Sequence, residues 1–212
     1  MFANHGLPLT FEYVHSTPVT ELLSKVKAWV EQFDPICLMH PHGFYVVLLG
    51  RTDTEEWRFH YWPKGPRRIL GMPAYIHTHN RHVCSRILEG QLTNVLYEVG
   101  EVETGGKPLY EVTYGGDRYL STTSNGLLRT TARVIPVIQQ RNTVRSGEIY
   151  TVERHAYHAA EVSEHIPTAT LVCMHGDPMG GAKVVGLDGF PNAIYFKRTD
   201  IRASTLLDKL SS

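Results

Sequence analysis

The residues best suited to chemistry lie in GMPAYIHTH, residues 71–79, where His77 and His79 stand two apart. In an extended strand, alternate side chains share a face and lie roughly 6.5–7 Å apart along the chain. Two such imidazoles can lean toward one divalent ion, and histidine is the commonest metal ligand in proteins. Two neutral rings hold a divalent metal weakly, so a third ligand must come from elsewhere. The segment GEIYTVERHAYH, residues 147–158, supplies it: a glycine turn opens a strand, and His158 follows eleven residues later. His155, three residues before His158, is a ligand only if the turn is irregular. With Tyr157 it flanks His158, either at a pocket rim or as an ordinary strand end. At the rim, such a neighbour can hold the ligand's other ring nitrogen. His82 is a weaker competitor for the ion, and Cys84 is either a redox or crosslinking thiol or a small buried hydrophobe. The second H-x-H, His40 and His42 in HPHG, sits in a proline-containing turn with no third ligand nearby and reads as structural.

Elements with the texture of strands must position these residues. Short runs rich in β-branched and aromatic residues begin near residue 43: FYVVLLG (44–50), WRFHYW (57–62), AYIHTH (74–79), SRILEG (85–90), LTNVLYEV (92–99), PLYEVTYGG (108–116), ARVIPVIQQ (132–140), EIYTVE (148–153), TATLVCM (168–174) and AIYFKR (193–198). Glycine-rich turns separate many of them, which predicts a β-sandwich or barrel. Ahead of them, Val19, Leu22, Leu23, Val26, Trp29, Val30 and Phe33 form a one-sided stripe, so 18–33 reads as an amphipathic helix with Thr17 as N-cap and Pro18 at its first position. The expected organisation is one domain: residues 1–42 a helical decoration, 43–198 the barrel, and 199–212 a tail with a short closing helix.

Composition narrows the classes of function. Lys+Arg and Asp+Glu are both 21, so the formal net charge is zero, which argues against nucleic-acid or anionic-membrane partners. No apolar run approaches the ~20 residues that span a bilayer, and no signal peptide is visible. Cys37, Cys84 and Cys173 are an odd, widely spaced set and read as reduced thiols, so a cytoplasmic location is expected.

The glycines around the histidines carry a family resemblance. Gly71 lies six residues before His77 and Gly90 thirteen after it, so GMPAYIHTHNRHVCSRILEG resembles the first motif of the cupin superfamily. GEIYTVERHAYH resembles the second, with Glu153 and His155 where proline and glycine are usual. The resemblance implies an all-β fold, a double-stranded β-helix with an N-terminal packing helix, and a metal held by His77, His79 and His158. Val83 stands where the family's glutamate ligand is usual. That departure is similar to the three-histidine cysteine dioxygenase group of thiol dioxygenases, in which a cysteine near this position, here Cys84, can crosslink to a tyrosine. Register with the family's late strand brings in Leu171, Cys173 and His175 where serine, histidine and tyrosine are usual. The arginine expected within FYVV, residues 44–47, is missing.

The implied activity is a mononuclear non-heme oxygenase acting with dioxygen on a small polar, metal-coordinating substrate. His155, Tyr157 and Cys84 are candidates for roles at the reaction centre. Iron(II) suits such a site, and Zn, Mn, Ni or Cu would accept the same imidazoles. The alternatives are a Lewis-acid cupin of lyase, isomerase or hydrolytic type, or a binding protein without turnover. A homodimer is the family-level expectation. Arg86 and Arg133 would bind a substrate carboxylate only if they face inward, and Tyr97 reads as a core aromatic.

Overall fold

Thr10 opens the first helix, α1 (Phe11–Ser16), by accepting a hydrogen bond from the Tyr13 amide at 3.2 Å. Thr17 ends α1, and Pro18 then takes the N-cap place of α2 (Val19–Phe33), one residue later than the sequence suggests. Leu22, Val26 and Val30 recur every four residues and form the buried stripe of α2. The helix stops at Asp34, whose φ of 42° lies in the left-handed region. The computed structural model describes residues 6–69 and 71–210. No helix among them is long and apolar enough to cross a membrane.

The strands follow in chain order: β1 (Cys37–Met39), β2 (Tyr45–Arg51), β3 (Glu55–Trp62), β4 (His82–Glu89), β5 (Gln91–Val102), β6 (Lys107–Tyr114), β7 (Asn125–Arg145), β8 (Ile149–Val152), β9 (Tyr157–Glu161), β10 (Thr168–His175), β11 (Lys183–Val185), β12 (Ala193–Phe196) and β13 (Thr199–Ile201), and a closing helix α3 (Ala203–Leu210) ends the fold. They form a seven-stranded antiparallel sheet in the order β13-β1-β2-β3-β10-β4-β8 and a six-stranded one in the order β11-β6-β7-β5-β9, with β12 also on β7. The architecture is all-β, a double-stranded β-helix of jelly-roll kind with an N-terminal packing helix.

Covering decides the side-chain pattern. The helices lie on one face of the seven-stranded sheet, where Val14, Leu22, Val26, Val30 and Leu206 join Val47, Phe59, Leu171 and Cys173 in one apolar cluster. The other face of that sheet looks across the lumen toward the second sheet. Both faces are therefore shielded, and β10 is buried at every residue from Thr168 to Met174. A strand buried on both sides reads as a continuous apolar run rather than an alternation.

Two strand expectations need correction. AYIHTH is not a strand: His77 makes isolated bridges, antiparallel to His158 on one side and to Val184 on the other. The His77 amide donates to the His158 carbonyl, the His158 amide donates to the His77 carbonyl, both at 2.9 Å, and the Val185 amide donates to Ile76 at 2.9 Å. This segment thus fills the gap between β9 and β11, the two edges of the six-stranded sheet. An open edge is unstable against wrong pairing, and one short segment closes both. β7 is much longer than ARVIPVIQQ. It passes through Pro136, opposite Val99 of β5, at a point beyond the end of its pairing with β6. The proline's missing N–H costs no ladder bond there.

Candidate metal centre and its cavity

The closure segment brings three rings together. The His77, His79 and His158 ring nitrogens lie within 4.8 Å of one another, and the ring centroids are 4.6–5.0 Å apart. His79 Nε2 is 2.9 Å from His158 Nε2. Among the described residues this is the one histidine, cysteine or carboxylate group that could hold a metal ion.

Hydrogen bonds fix how two of the rings present themselves. His158 Nδ1 donates to Asn94 Oδ1 on β5 at 3.0 Å, in a buried pair. His77 Nδ1 donates to the Tyr75 carbonyl at 2.8 Å. With Nδ1 carrying the proton in both, the Nε2 lone pairs are left free for a cation. Burial pushes His79 and His158 well below the ordinary histidine range, and His77 adds to the effect on both. His77 is lowered by burial too, against the pull of the Tyr75 carbonyl. Neutral rings need lose no proton to bind an ion. The donor set therefore fits a divalent metal; it does not choose which one.

Other predicted residues fall elsewhere. Val83 is buried and lines the lumen, so an apolar side chain stands where the resemblance leads one to expect a carboxylate. Cys84, its neighbour on β4, points to the opposite face, where its Sγ meets His15 Nε2 at 3.8 Å. Tyr157 alternates with His158 on β9 and packs outward against Leu109, Val134 and Val185. His155 is exposed with φ 64°, which explains why glycine is usual at that motif position. The structure thus brings none of Cys84, Tyr157 and His155 to the cluster. Their strand parity, or in His155 a turn, directs them away. Leu171 and Cys173 face the helices, and His175 packs on Phe11 and stacks with His82. Val172 and Met174 line the lumen instead. Arg86 donates to the Thr17 carbonyl at 2.7 Å and also bonds the Val14 carbonyl, so it ties down α1. Arg133 is held by Gly106 and Asp188.

The cluster opens into a cavity of about 220 Å³. His77 and His79 line it, together with Arg58, Arg118 and Arg198. His40 and His42, read as structural, line it as well, and the His42 ring centroid is 6.3 Å from that of His77. Burial, with His77 beside it, pushes His42 down to about 4. His60 Nε2 is buried in the lumen with no hydrogen-bond partner among the described residues. One signal for these residues was present in EEWRFHYW. Trp57, Phe59 and Tyr61 face the helices, which leaves Glu56, Arg58, His60 and Trp62 for the lumen. Arg198 shares the parity of Ile194 and Phe196 in AIYFKR, and all three line the cavity; Arg118 comes from a turn and had no such signal.

At the far wall, Glu56 is buried beneath Tyr119. It accepts hydrogen bonds from Arg58 Nε at 2.6 Å, Arg118 Nη2 at 2.7 Å and the Tyr119 hydroxyl at 2.5 Å. Burial alone would raise the Glu56 carboxyl, but Arg58, Arg118 and that hydroxyl together hold it well below the usual carboxylate range.

Fold and site together define an all-β jelly roll with a three-histidine cluster opening on a basic cavity. No family model and no curated protein matches the chain. Solved structures similar to it include one described as DMSP lyases RdDddP and RnDddQII, at 14% identity over 66% of this chain and 51% of that one, with a TM-score of 0.36. Another is an RmlC-like cupin from Shewanella frigidimarina, at 14% identity over 76% and 91%, with a TM-score of 0.34. A third is a Streptomyces PAC13 variant with uridine, at 8% identity over 81% and 90%, with a TM-score of 0.29. This chain spans about half the length of the first of these. Superpositions this loose carry no argument about substrate or reaction.

Proposed function

We propose that the chain is a mononuclear metal-dependent enzyme acting on a small polar substrate, and an oxygenase when the resident ion is iron. The observation that supports this reading is the ligand set: three neutral imidazoles in a cavity wall, with no carboxylate among the described residues beside them. His77, His79 and His158 would hold the ion, which would keep its full charge and open positions, and iron(II) there would supply the redox chemistry for substrate and dioxygen. The chain's own residues do the rest. Asn94 and Tyr75 set the ligand tautomers, Val83, Val172 and Met174 keep water from one side of the lumen, and the cavity orients the substrate. The likeness to thiol dioxygenases rests on Val83; with Cys84 turned outward, no crosslink to a cavity tyrosine belongs to the reading. A homodimer is part of the same proposal, tested by light scattering.

A second reading, Lewis-acid catalysis, is favoured by His42 and His60. Burial keeps these imidazoles neutral, and they line the lumen outside the cluster, where they would hydrogen-bond a metal-polarised substrate or water. One experiment separates the readings: elemental analysis of the purified protein, then turnover of small thiols and organic acids in an oxygen electrode. Oxygen consumed with substrate supports the oxygenase, and turnover that continues without oxygen supports the Lewis acid. Protein of the His158→Ala variant that keeps full metal content would remove the proposed centre.

A further inference from the structure

The Arg198 guanidinium, between β12 and β13, lies on the cavity wall. Around the buried Tyr119 ring lie four guanidinium carbons: Arg51 at 5.0 Å, Arg58 and Arg118 at 5.5 Å, and Arg198 at 6.0 Å from the ring centroid. Two carboxylates answer them. Glu56 pairs with Arg51, Arg58 and Arg118, and Asp117 pairs with Arg51 at 3.3 Å. No carboxylate among the described residues pairs with Arg198, and its Nε is buried without a hydrogen-bond partner. Burial pushes its pKa down, and Arg58 and Arg118 push the same way against the pull of Tyr114 and Tyr119.

A half-buried guanidinium with no carboxylate partner and a buried, unbonded Nε, beside two other guanidiniums, is costly unless something anionic completes it. Here no described residue supplies that partner. Arg198, Arg58 and Arg118 share the wall of the same cavity with His77 and His79. The guanidinium fork matches an oxyanion better than a point charge would, because it donates two parallel hydrogen bonds.

We propose that Arg198, backed by Arg58 and Arg118, is a built oxyanion subsite, and that the substrate is a small organic anion whose charged head sits there while its other end reaches the histidine cluster. The inference deepens the proposed function and rests on it for calling the occupant a substrate. The subsite itself stands on the arginines alone. A carboxylate, a sulfonate and a phosphate share the required chemistry.

The test uses the full chain stripped of metal, so that only the subsite is probed. Sulfate, phosphate and acetate are each titrated calorimetrically, with tetramethylammonium as the cationic control. Binding of at least one oxyanion and none of the cation is expected. Arg198→Gln should weaken that binding roughly ten- to a hundredfold, the range for losing hydrogen bonds to a charged group. Arg198→Lys, which keeps the charge and loses the fork, should fall between. His79→Ala should leave oxyanion affinity unchanged while lowering metal content, and Arg198→Gln should do the reverse. Acetate binding tighter than sulfate or phosphate would mark a carboxylate head, and the opposite order a tetrahedral one; both support the subsite. Oxyanion binding that is absent, or equal in Arg198→Gln and the parent protein, overturns it. If His79→Ala keeps its metal, the metal centre fails while the oxyanion result stands.

Discussion

Replacing Asn94 by leucine tests how the histidine cluster is prepared for an ion. Asn94 is 4% exposed, and its Oδ1 accepts the His158 Nδ1 proton at 3.0 Å. Leucine has a similar volume and no acceptor. His158, itself 3% exposed, then has two choices. It can keep the proton on Nδ1, unpaired in an apolar wall, at about 1–3 kcal/mol for a buried unsatisfied donor. Or it can move the proton to Nε2, which removes the lone pair that faces His79. Either way the ligating tautomer is disfavoured by that energy, which equals roughly ten- to a hundredfold in metal affinity. Cobalt(II) titration followed by its visible absorption bands measures the affinity, and thermal unfolding of the metal-free protein checks that the fold is intact. Asn94→Asp should move the other way, since a carboxylate holds the Nδ1 proton more firmly. If Asn94→Leu binds cobalt as tightly as the parent protein, the tautomer argument is refuted.

Two further outcomes follow from the buried charges. His40, His42 and His60 are lowered by burial, His42 to about 4, so all three are neutral when folded while the unfolded chain takes up protons below about pH 6.5. The unfolded state binds more protons in that window, so stability falls as pH drops through it. From pH 7 to 5.5 the His42 ring alone forfeits about 1.3 kcal/mol, and His40, His60 and the three cluster rings add to the loss in the same direction, visible in urea midpoints of the metal-free protein; a flat profile over that range would contradict the neutral lumen. Glu56→Gln leaves Arg58 and Arg118 without their shared carboxylate, and unfolding should become easier by about 3–5 kcal/mol. An unchanged urea midpoint would show that the cluster does not depend on Glu56.

Much of this was legible in the chain, and the rest was hidden for physical reasons. The metal-type cluster could be read because His77 and His79 share a face and a glycine turn sets the distance to His158. Helix α2 and most strands were visible through their periods of 3.6 and 2. The faces of β4 and β10 were harder. Each strand is covered by helices on one side and by the lumen on the other, so polarity does not mark which parity looks inward. That is why Cys84 rather than Val83, and Leu171 and Cys173 rather than Val172 and Met174, drew attention. β1, β9, β11 and β13 are three to five residues long, too short to show a period. The pairing of His77 with both β9 and β11 is a long-range contact that no local pattern records. Arg118 reaches the cavity from a turn, where no alternation applies.

The ring positions and the closure of the barrel are one structural event. His77 and His158 exchange two backbone hydrogen bonds, and the same two residues contribute rings to the cluster. Asn94 lies on β5, whose Leu96 is paired with His158, so the acceptor that sets the tautomer comes from the strand next door. An ion held by three neutral rings would keep its positive charge, and the opposite wall carries more guanidinium than carboxylate. A cation entering the cavity meets repulsion at both ends, while an anion with acceptors at each end is favoured at both. Under the proposed function, Val83 would matter to the sign of that charge: with glutamate in its place, one end of the pattern would be neutralised.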